Sequence, residues 1–129
     1  MPGTLVITTL SDGTNSTSST NCIQGSAKAW VNFAGSTATI RASYNVSSIT
    51  RNTTGQYFVN MTNALADTNY CVQTTCAQGT ATSTSSSNGA MMSSSAYPNT
   101  SSQFYVFTFP NEASATLYDM TYTYVSVFR

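Results

Sequence analysis

From Ala27 onward the chain alternates apolar and polar positions with a period of two. In AKAWVNF (27–33), Lys28, Trp30 and Asn32 fall on one face and Ala29, Val31 and Phe33 on the other, the pattern of a half-buried strand. AGST turns the chain. TATIRAS (37–43) then sets Ala38, Ile40 and Ala42 opposite Thr37, Thr39 and Arg41, and two such runs joined by a Gly-containing loop predict a β-hairpin. Further strands are expected over 46–51, 56–62 and 70–76. Gly55 in the turn Asn52-Thr53-Thr54-Gly55 suits a positive φ. Tyr57, Val59 and Met61 share a face in the second of these strands, and Tyr70, Val72 and Thr74 in the third, with 64–69 as the connector. Two aromatic-rich runs, QFYVFTFP (103–110) and DMTYTYVSVF (119–128), flank a turn at 111–114. In the last run Met120, Tyr122 and Tyr124 oppose Thr121, Thr123, Val125 and Val127. The apolar side changes along it, which predicts a bulge near Val125.

Two segments break this rhythm. Residues 4–10 (TLVITTL) are β-prone, but the following 11–21 are turn and loop formers, so 1–24 reads as an arm that carries little core and pairs with a neighbour. Residues 78–102 are rich in Ser, Thr and Gly around Ala90-Met91-Met92. A loop of that length in a small domain is usually functional or mobile, and a short strand around 90–92 fits within it. No segment holds a 3.6-residue apolar period. The expected fold is all-β, an antiparallel β-sandwich or barrel-like domain over 25–129.

Composition sharpens the picture. Charged residues make up 6% of the 129 and net charge is zero, against a usual charged share of about 25%. Disorder normally combines low hydrophobicity with high charge, whereas this chain has eight Tyr and six Phe. A neutral chain has little self-repulsion to keep it monomeric and is easier to understand if it hides surface against copies of itself. The basic residues Lys28, Arg41, Arg51 and Arg129 are scattered, which argues against nucleic-acid binding. No apolar run approaches the ~20 residues of a membrane span, and the N-terminus carries neither a basic nor an apolar leader segment, so synthesis in a cytoplasm is expected.

Catalytic chemistry finds little footing. There is no histidine, the commonest general base and metal ligand. Asp12, Asp67, Glu112 and Asp119 sit near turns or strand ends, with no spacing that asks for a glycosidase pair. No hydroxyl lies in a nucleophile-elbow context, and Lys28 reads as an exposed strand lysine. Cys22, Cys71 and Cys76 are an odd set with no fourth ligand for a structural zinc. They read as small thiols in or near strands, although a tight bend could bring Cys71 to Cys76. No enzyme, cofactor or metal is expected.

The stretch 25–33, GSAKAWVNF, followed by Ile40-Arg41-Ala42-Ser43-Tyr44-Asn45-Val46-Ser47-Ser48-Ile49 and Gly55-Gln56-Tyr57, resembles a domain of phage tail-fibre-like proteins. Members of that family commonly read Ala-Asp-Ala-Asn-Tyr where this chain has Ala66-Asp67-Thr68-Asn69-Tyr70, and Val125-Ser126-Val127-Phe128-Arg129 looks like their usual C-terminus. The likeness covers 25–76 well and the last residues moderately; the 78–102 loop is unmatched. It implies a bacteriophage virion structural protein, a homotrimer, with receptor binding or particle decoration as its task, and it carries over no catalytic or metal residue.

The expected function is a tail-fibre tip module that recognises a bacterial surface glycan or protein. The alternative is a capsid decoration protein whose arm grips the shell; a depolymerase is the enzymatic third. Fibre proteins carry an attachment region and shaft that are missing before residue 25, which leaves a docked tip subunit, a decoration protein or a truncated chain. Tyr97, Asn99, Met91 and Met92 in the long loop are the candidate ligand contacts. Trp30, Phe33, Leu5 and Ile7 are the candidate subunit interface. Trp30 could instead stack on a sugar ring, but the interface reading is preferred.

Overall fold

A computed structural model of the chain describes residues 3–78, 89–92, 96–110 and 116–129, with 89–92 as backbone only. In chain order the elements are β1 (Thr9–Ser11), β2 (Ser16–Ser18), α1 (Ser19–Gly25), β3 (Ala29–Ala34), β4 (Thr39–Tyr44), β5 (Val46–Thr53), β6 (Gln56–Met61), β7 (Cys71–Ala77), β8 (Gly89–Met92), β9 (Gln103–Phe109) and β10 (Tyr122–Phe128). The fold is all-β. Two four-stranded antiparallel sheets, ordered β4-β3-β10-β7 and β5-β6-β9-β8, hold one core between them, and β1 and β2 form a separate hairpin. The short strand expected around 90–92 is β8, paired with β9.

Alternation builds the core. Ala29, Val31 and Phe33 of β3 and Val125 and Val127 of β10 point inward from the first sheet, against Tyr57 and Val59 of β6 and Phe104 and Val106 of β9 from the second. Each fully buried large apolar side chain contributes about 1.5–3 kcal/mol. Phe33 meets Tyr57 edge-on at 5.0 Å, the ring arrangement that aligns the positive edge of one ring with the negative face of the other.

Asn45 carries the chain from one sheet to the next. It lies between β4 and β5 at φ 54°, a left-handed conformation that Asn tolerates better than most residues. Its side chain fixes the corner: Nδ2 donates to the carbonyls of Lys28 and Asn63, and Oδ1 accepts from the Asn63 N–H at 2.8 Å.

Residues 116–121 return the chain from β9 to β10 and fasten both sheets. The Tyr118 N–H donates to the Thr108 carbonyl in one sheet, and the Gly35 N–H donates to the Met120 carbonyl in the other, each at 2.9 Å. Two glycines make room. At Gly35 an added Cβ would lie 2.5 Å from the Tyr57 hydroxyl and 2.7 Å from the Met120 carbonyl oxygen. Gly55 has φ +67°, as its place in the turn predicts, and a Cβ there would meet the Tyr118 nitrogen at 2.6 Å.

Several expectations need correction. β10 runs in continuous register with β3 and β7, so there is no bulge near Val125. Thr123, though polar, takes a core position beside Val125 and Val127, while Met120 is buried just before the strand begins. The register shifts fall instead at Asn32/Phe33 against β4 and at two points between β5 and β6. Of the β-prone run 4–10, only Thr9 and Leu10 enter a strand, in the β1–β2 hairpin. After it, Ser18 caps α1 by accepting the Asn21 N–H, since a hydroxyl at the N-cap satisfies an otherwise unpaired helix donor. Cys71 and Cys76 lie on one continuous strand five positions apart, so no bend brings them together, and among the described residues no disulfide joins any of the three cysteines. The turn at 111–114 lies outside the described residues.

Candidate functional site

The alternation that sends Val31, Phe33, Val125 and Val127 inward sends their neighbours out onto the open face of the β4-β3-β10-β7 sheet. Register then fixes who meets whom. Trp30 lies opposite Tyr44 on one side and Ser126 on the other, with Gln73 beyond Ser126. One step along, Asn32 lies between Ala42 and Tyr124, with Thr75 beyond Tyr124. Directly opposed residues on one face come within about 5 Å, and diagonal ones within about 8 Å, so Tyr44, Trp30 and Tyr124 form a slanting row of rings with amides and hydroxyls between them. These rings are open to solvent: Tyr44 is 59% exposed, Tyr124 42% and Trp30 41%.

The row continues to Tyr122, whose ring is parallel to that of Tyr124 within 3° at 6.2 Å. Arg41, in the irregular stretch of β4, places its guanidinium 4.4 Å over the Tyr122 ring. It also donates to the Thr121 carbonyl at 2.8 Å and to Asn32 Oδ1 at 3.4 Å. A cation held over a ring and on two oxygens is positioned by attraction to the ring's negative face as well as by hydrogen bonds. A shallow depression of about 460 Å³ opens over Trp30, Asn32, Gln73, Thr75 and Tyr124, within the usual range for a small-molecule site.

The named interface residues divide. Trp30 stands on this open face. Leu5 and Ile7 are exposed in the arm, beside Val6, Leu10 and Ile23, around a second depression of about 370 Å³. Phe33 does not belong with them. It is completely buried in the core between the sheets, because its β3 neighbours alternate in and out and Phe33 falls on the inward phase; a partner chain has no access to it.

Of the loop contacts, Tyr97 is partly committed within the fold. Its ring stacks on Tyr105 at 4.7 Å and meets Phe58 edge-on at 5.4 Å, closing an aromatic patch on the outer face of the other sheet. Burial raises the Tyr105 hydroxyl pKa, with a smaller push from Tyr97. Asn99 is half-buried, and its Oδ1 finds no hydrogen-bond partner among the described residues. Met91 and Met92 lie in β8 opposite Phe107 and Val106 in backbone register; their side chains fall outside the described residues.

The carboxylates of the described residues, Asp12, Asp67 and Asp119, are occupied structurally. Asp119 accepts from Arg51 Nε at 3.1 Å and Nη2 at 2.6 Å, the Gly55 N–H at 2.8 Å and the Tyr57 hydroxyl at 2.6 Å. Burial works to raise its pKa, but the donors from Arg51, Gly55 and Tyr57 outweigh it and hold the carboxyl below its ordinary value. Asp67 pairs with Arg129, whose hydrogen bonds bring it down to about 2. Asp12 accepts the Asn15 and Thr14 N–H groups in the β1–β2 turn, which also lowers its pKa. Among the described residues no group of His, Cys, Asp and Glu is arranged to hold a metal, and no helix is long and apolar enough to cross a membrane.

The arrangement offers flat, polar-edged rings and uncharged hydrogen-bonding groups on one face. Sequence reading placed Trp30 but missed Tyr44, Tyr122 and Tyr124 as its companions. The available signal was the outward phase of Tyr122 and Tyr124 in the last strand. No protein-family model matches the chain, and no curated protein or solved structure shows significant similarity to it.

Proposed function

We propose that this protein is a non-enzymatic structural module of a bacteriophage virion that meets the bacterial surface, working as the tip of a tail fibre and assembled as a homotrimer. The observation that carries the reading is the open, ring-bearing face of the β4-β3-β10-β7 sheet, where Trp30, Tyr44 and Tyr124 remain exposed on a rigid strand framework. Rigid elements hold contact groups more accurately than loops do, and Tyr and Trp supply contact area at low entropic cost. The resemblance of residues 25–76 to phage tail-fibre-like proteins supplies the virion context.

The second reading, capsid decoration, is favoured by the arm. Leu5, Val6 and Ile23 are more than half exposed, and exposed apolar clusters mark surfaces that bind other proteins. In both readings the arm docks on another virion protein, and the two differ in stoichiometry. Quantitative mass spectrometry of purified particles tests this: tens of copies or fewer support the fibre tip, hundreds support decoration, and absence from the particle overturns both.

A further inference from the structure

We infer that the open face of the β4-β3-β10-β7 sheet docks an acidic protein surface of the bacterial cell, with Arg41 pairing a carboxylate of that partner and Trp30, Tyr44 and Tyr124 packing around the pair. The inference rests on the recognition reading above and names the chemistry of the partner.

The distribution of charge comes first. The strands β3, β4, β7 and β10 contain one charged residue, Arg41. The arginines elsewhere are matched: Arg51 pairs with Asp119, and Arg129 with Asp67. Arg41 and Lys28 have no carboxylate partner among the described residues, and both belong to this side of the molecule, Lys28 standing two positions before Trp30 in the same phase of the alternation. The Lys28 ammonium turns to the Ile23 carbonyl and the Ser26 hydroxyl at the end of α1. Arg41 is held on the sheet itself. Its guanidinium lies over the Tyr122 ring and donates from Nη1 to Asn32 Oδ1 and from Nη2 to the Thr121 carbonyl. A guanidinium carries five N–H donors in a fixed fork, so this immobilised cation keeps donors for a carboxylate. The ordering of a long side chain, which usually cancels the gain from a surface ion pair, is already complete within the fold.

The rest of the face selects the kind of acid. Trp, Tyr and Arg carry most of the binding energy between proteins, and interface cores are depleted in Lys, Asp and Glu. Trp30, Tyr44, Tyr122, Tyr124 and Arg41 stand here, with no Lys, Asp or Glu in the four strands. Depth points the same way. The depression beside Trp30 and Tyr124 is shallow, whereas sites for small ligands bury most of the ligand's surface. An acidic saccharide lying here keeps its outer side, and the Arg41 pair, in water, where such a pair contributes little. A broad protein surface covers the rings and the cation together, and a desolvated, hydrogen-bonded charge pair discriminates strongly between partners. A second copy of the chain is a poor match, because its described carboxylates are already held: Asp67 and Asp119 by arginines, and Asp12 by the Thr14 and Asn15 N–H groups.

The test is adsorption of the fluorescently labelled full chain to cells of the bacterium on which the particle grows. Protease treatment of the cells, followed by washing, should abolish adsorption, and periodate oxidation of their glycans should leave it unchanged. On untreated cells the affinity should fall about tenfold or more in Arg41→Gln and in Tyr124→Ala. It should fall in Arg41→Lys as well, because Lys keeps the charge without the planar fork, and hold in Thr50→Ala on the other sheet. Circular dichroism confirms that the variants fold, and analytical ultracentrifugation compares their oligomeric state with that of the parent. Adsorption that survives protease, or that periodate removes, makes the ligand a glycan and overturns the inference. So does full affinity in Arg41→Gln, or a change of oligomeric state in Arg41→Gln or Tyr124→Ala, which places a second copy on the face. Surface recognition stands in each of these cases as long as the parent adsorbs; if the parent does not adsorb to untreated cells, the recognition reading itself falls.

Discussion

Replacing Asp119 with Ala removes the acceptor around which one end of the fold is tied. Asp119 receives the Gly55 N–H at 2.8 Å and the hydroxyl of the fully buried Tyr57 at 2.6 Å. Hydrogen bonds to a charged acceptor contribute about 1.5–3 kcal/mol each, and a buried donor left without a partner carries its full desolvation cost. Asp119 keeps some contact with water, so a discounted loss of about 2.5 kcal/mol is expected. An unfolding entropy of roughly 2.1 cal/mol/K per residue converts that to a fall in Tm of about 9 °C for a chain of this length. Urea and thermal unfolding, followed by circular dichroism, measure it. Tyr57→Phe should cost about 1 kcal/mol, and the double variant less than the sum, because Tyr57→Phe removes the donor that Asp119→Ala would strand. The pH profile gives an independent check. Asp119 has a lowered pKa in the fold, so its contribution is present above the ordinary value of 3.8 and lost as pH falls through the lower folded value. Asp67 and Asp12 titrate alike in parent and variant, so the difference between the two curves isolates Asp119. A change in stability below about 0.5 kcal/mol, or simple additivity with Tyr57→Phe, would mean that Asp119 does not tie this end of the fold together.

Other expectations follow from the same packing. Asn45→Ala should lose about 2–3 kcal/mol in denaturant unfolding, since Ala fits the left-handed corner poorly and gives up the bonds to Lys28 and Asn63; a loss within error would mean the corner does not hold the sheets. Thr123→Val should raise stability by about 1 kcal/mol, because the fully buried Thr123 hydroxyl finds no partner among the described residues, and an unchanged or lower Tm would contradict that placement. Mass-resolved alkylation of the native protein should label Cys22 and Cys71 readily and Cys76 slowly, its thiol pushed up to about 11 by burial; equal rates at all three would place β7 differently.

Period-two alternation was enough to put Ala29, Val31 and Phe33 on one face, and Tyr57, Val59 and Met61 on another, and the structure buries both faces. It also identified the β3–β4 hairpin and the positive φ of Gly55. It misled in the last strand. Alternation sets Tyr122 and Tyr124 opposite Thr123, Val125 and Val127, as the strand has them, but the change of apolar side reads as a bulge only because Met120 precedes the strand and the polar Thr123 holds an inward position. The helix α1 spans seven residues, too few to show a 3.6-residue period. Phe33 reads from the sequence as an interface candidate because an aromatic in a neutral chain can serve either role until its burial is known, and the structure buries it completely. The ring-bearing face was half legible. Trp30 and Tyr124 each alternate outward within their own strands, but they lie far apart in sequence, and only the insertion of β10 between β3 and β7 makes them neighbours. The Asp119 cluster was not legible at all, because its ion pair joins positions 68 residues apart.

The most direct measurement of the central claim is cryo-electron microscopy of the intact phage particle, with this chain located in the map. Density is expected at the distal end of a tail appendage, with the Trp30–Tyr44–Tyr124 face turned away from the particle and residues 1–24 against a neighbouring virion protein. Density at regular capsid lattice positions, or a tail location in which that face is buried against another virion protein, would contradict that claim.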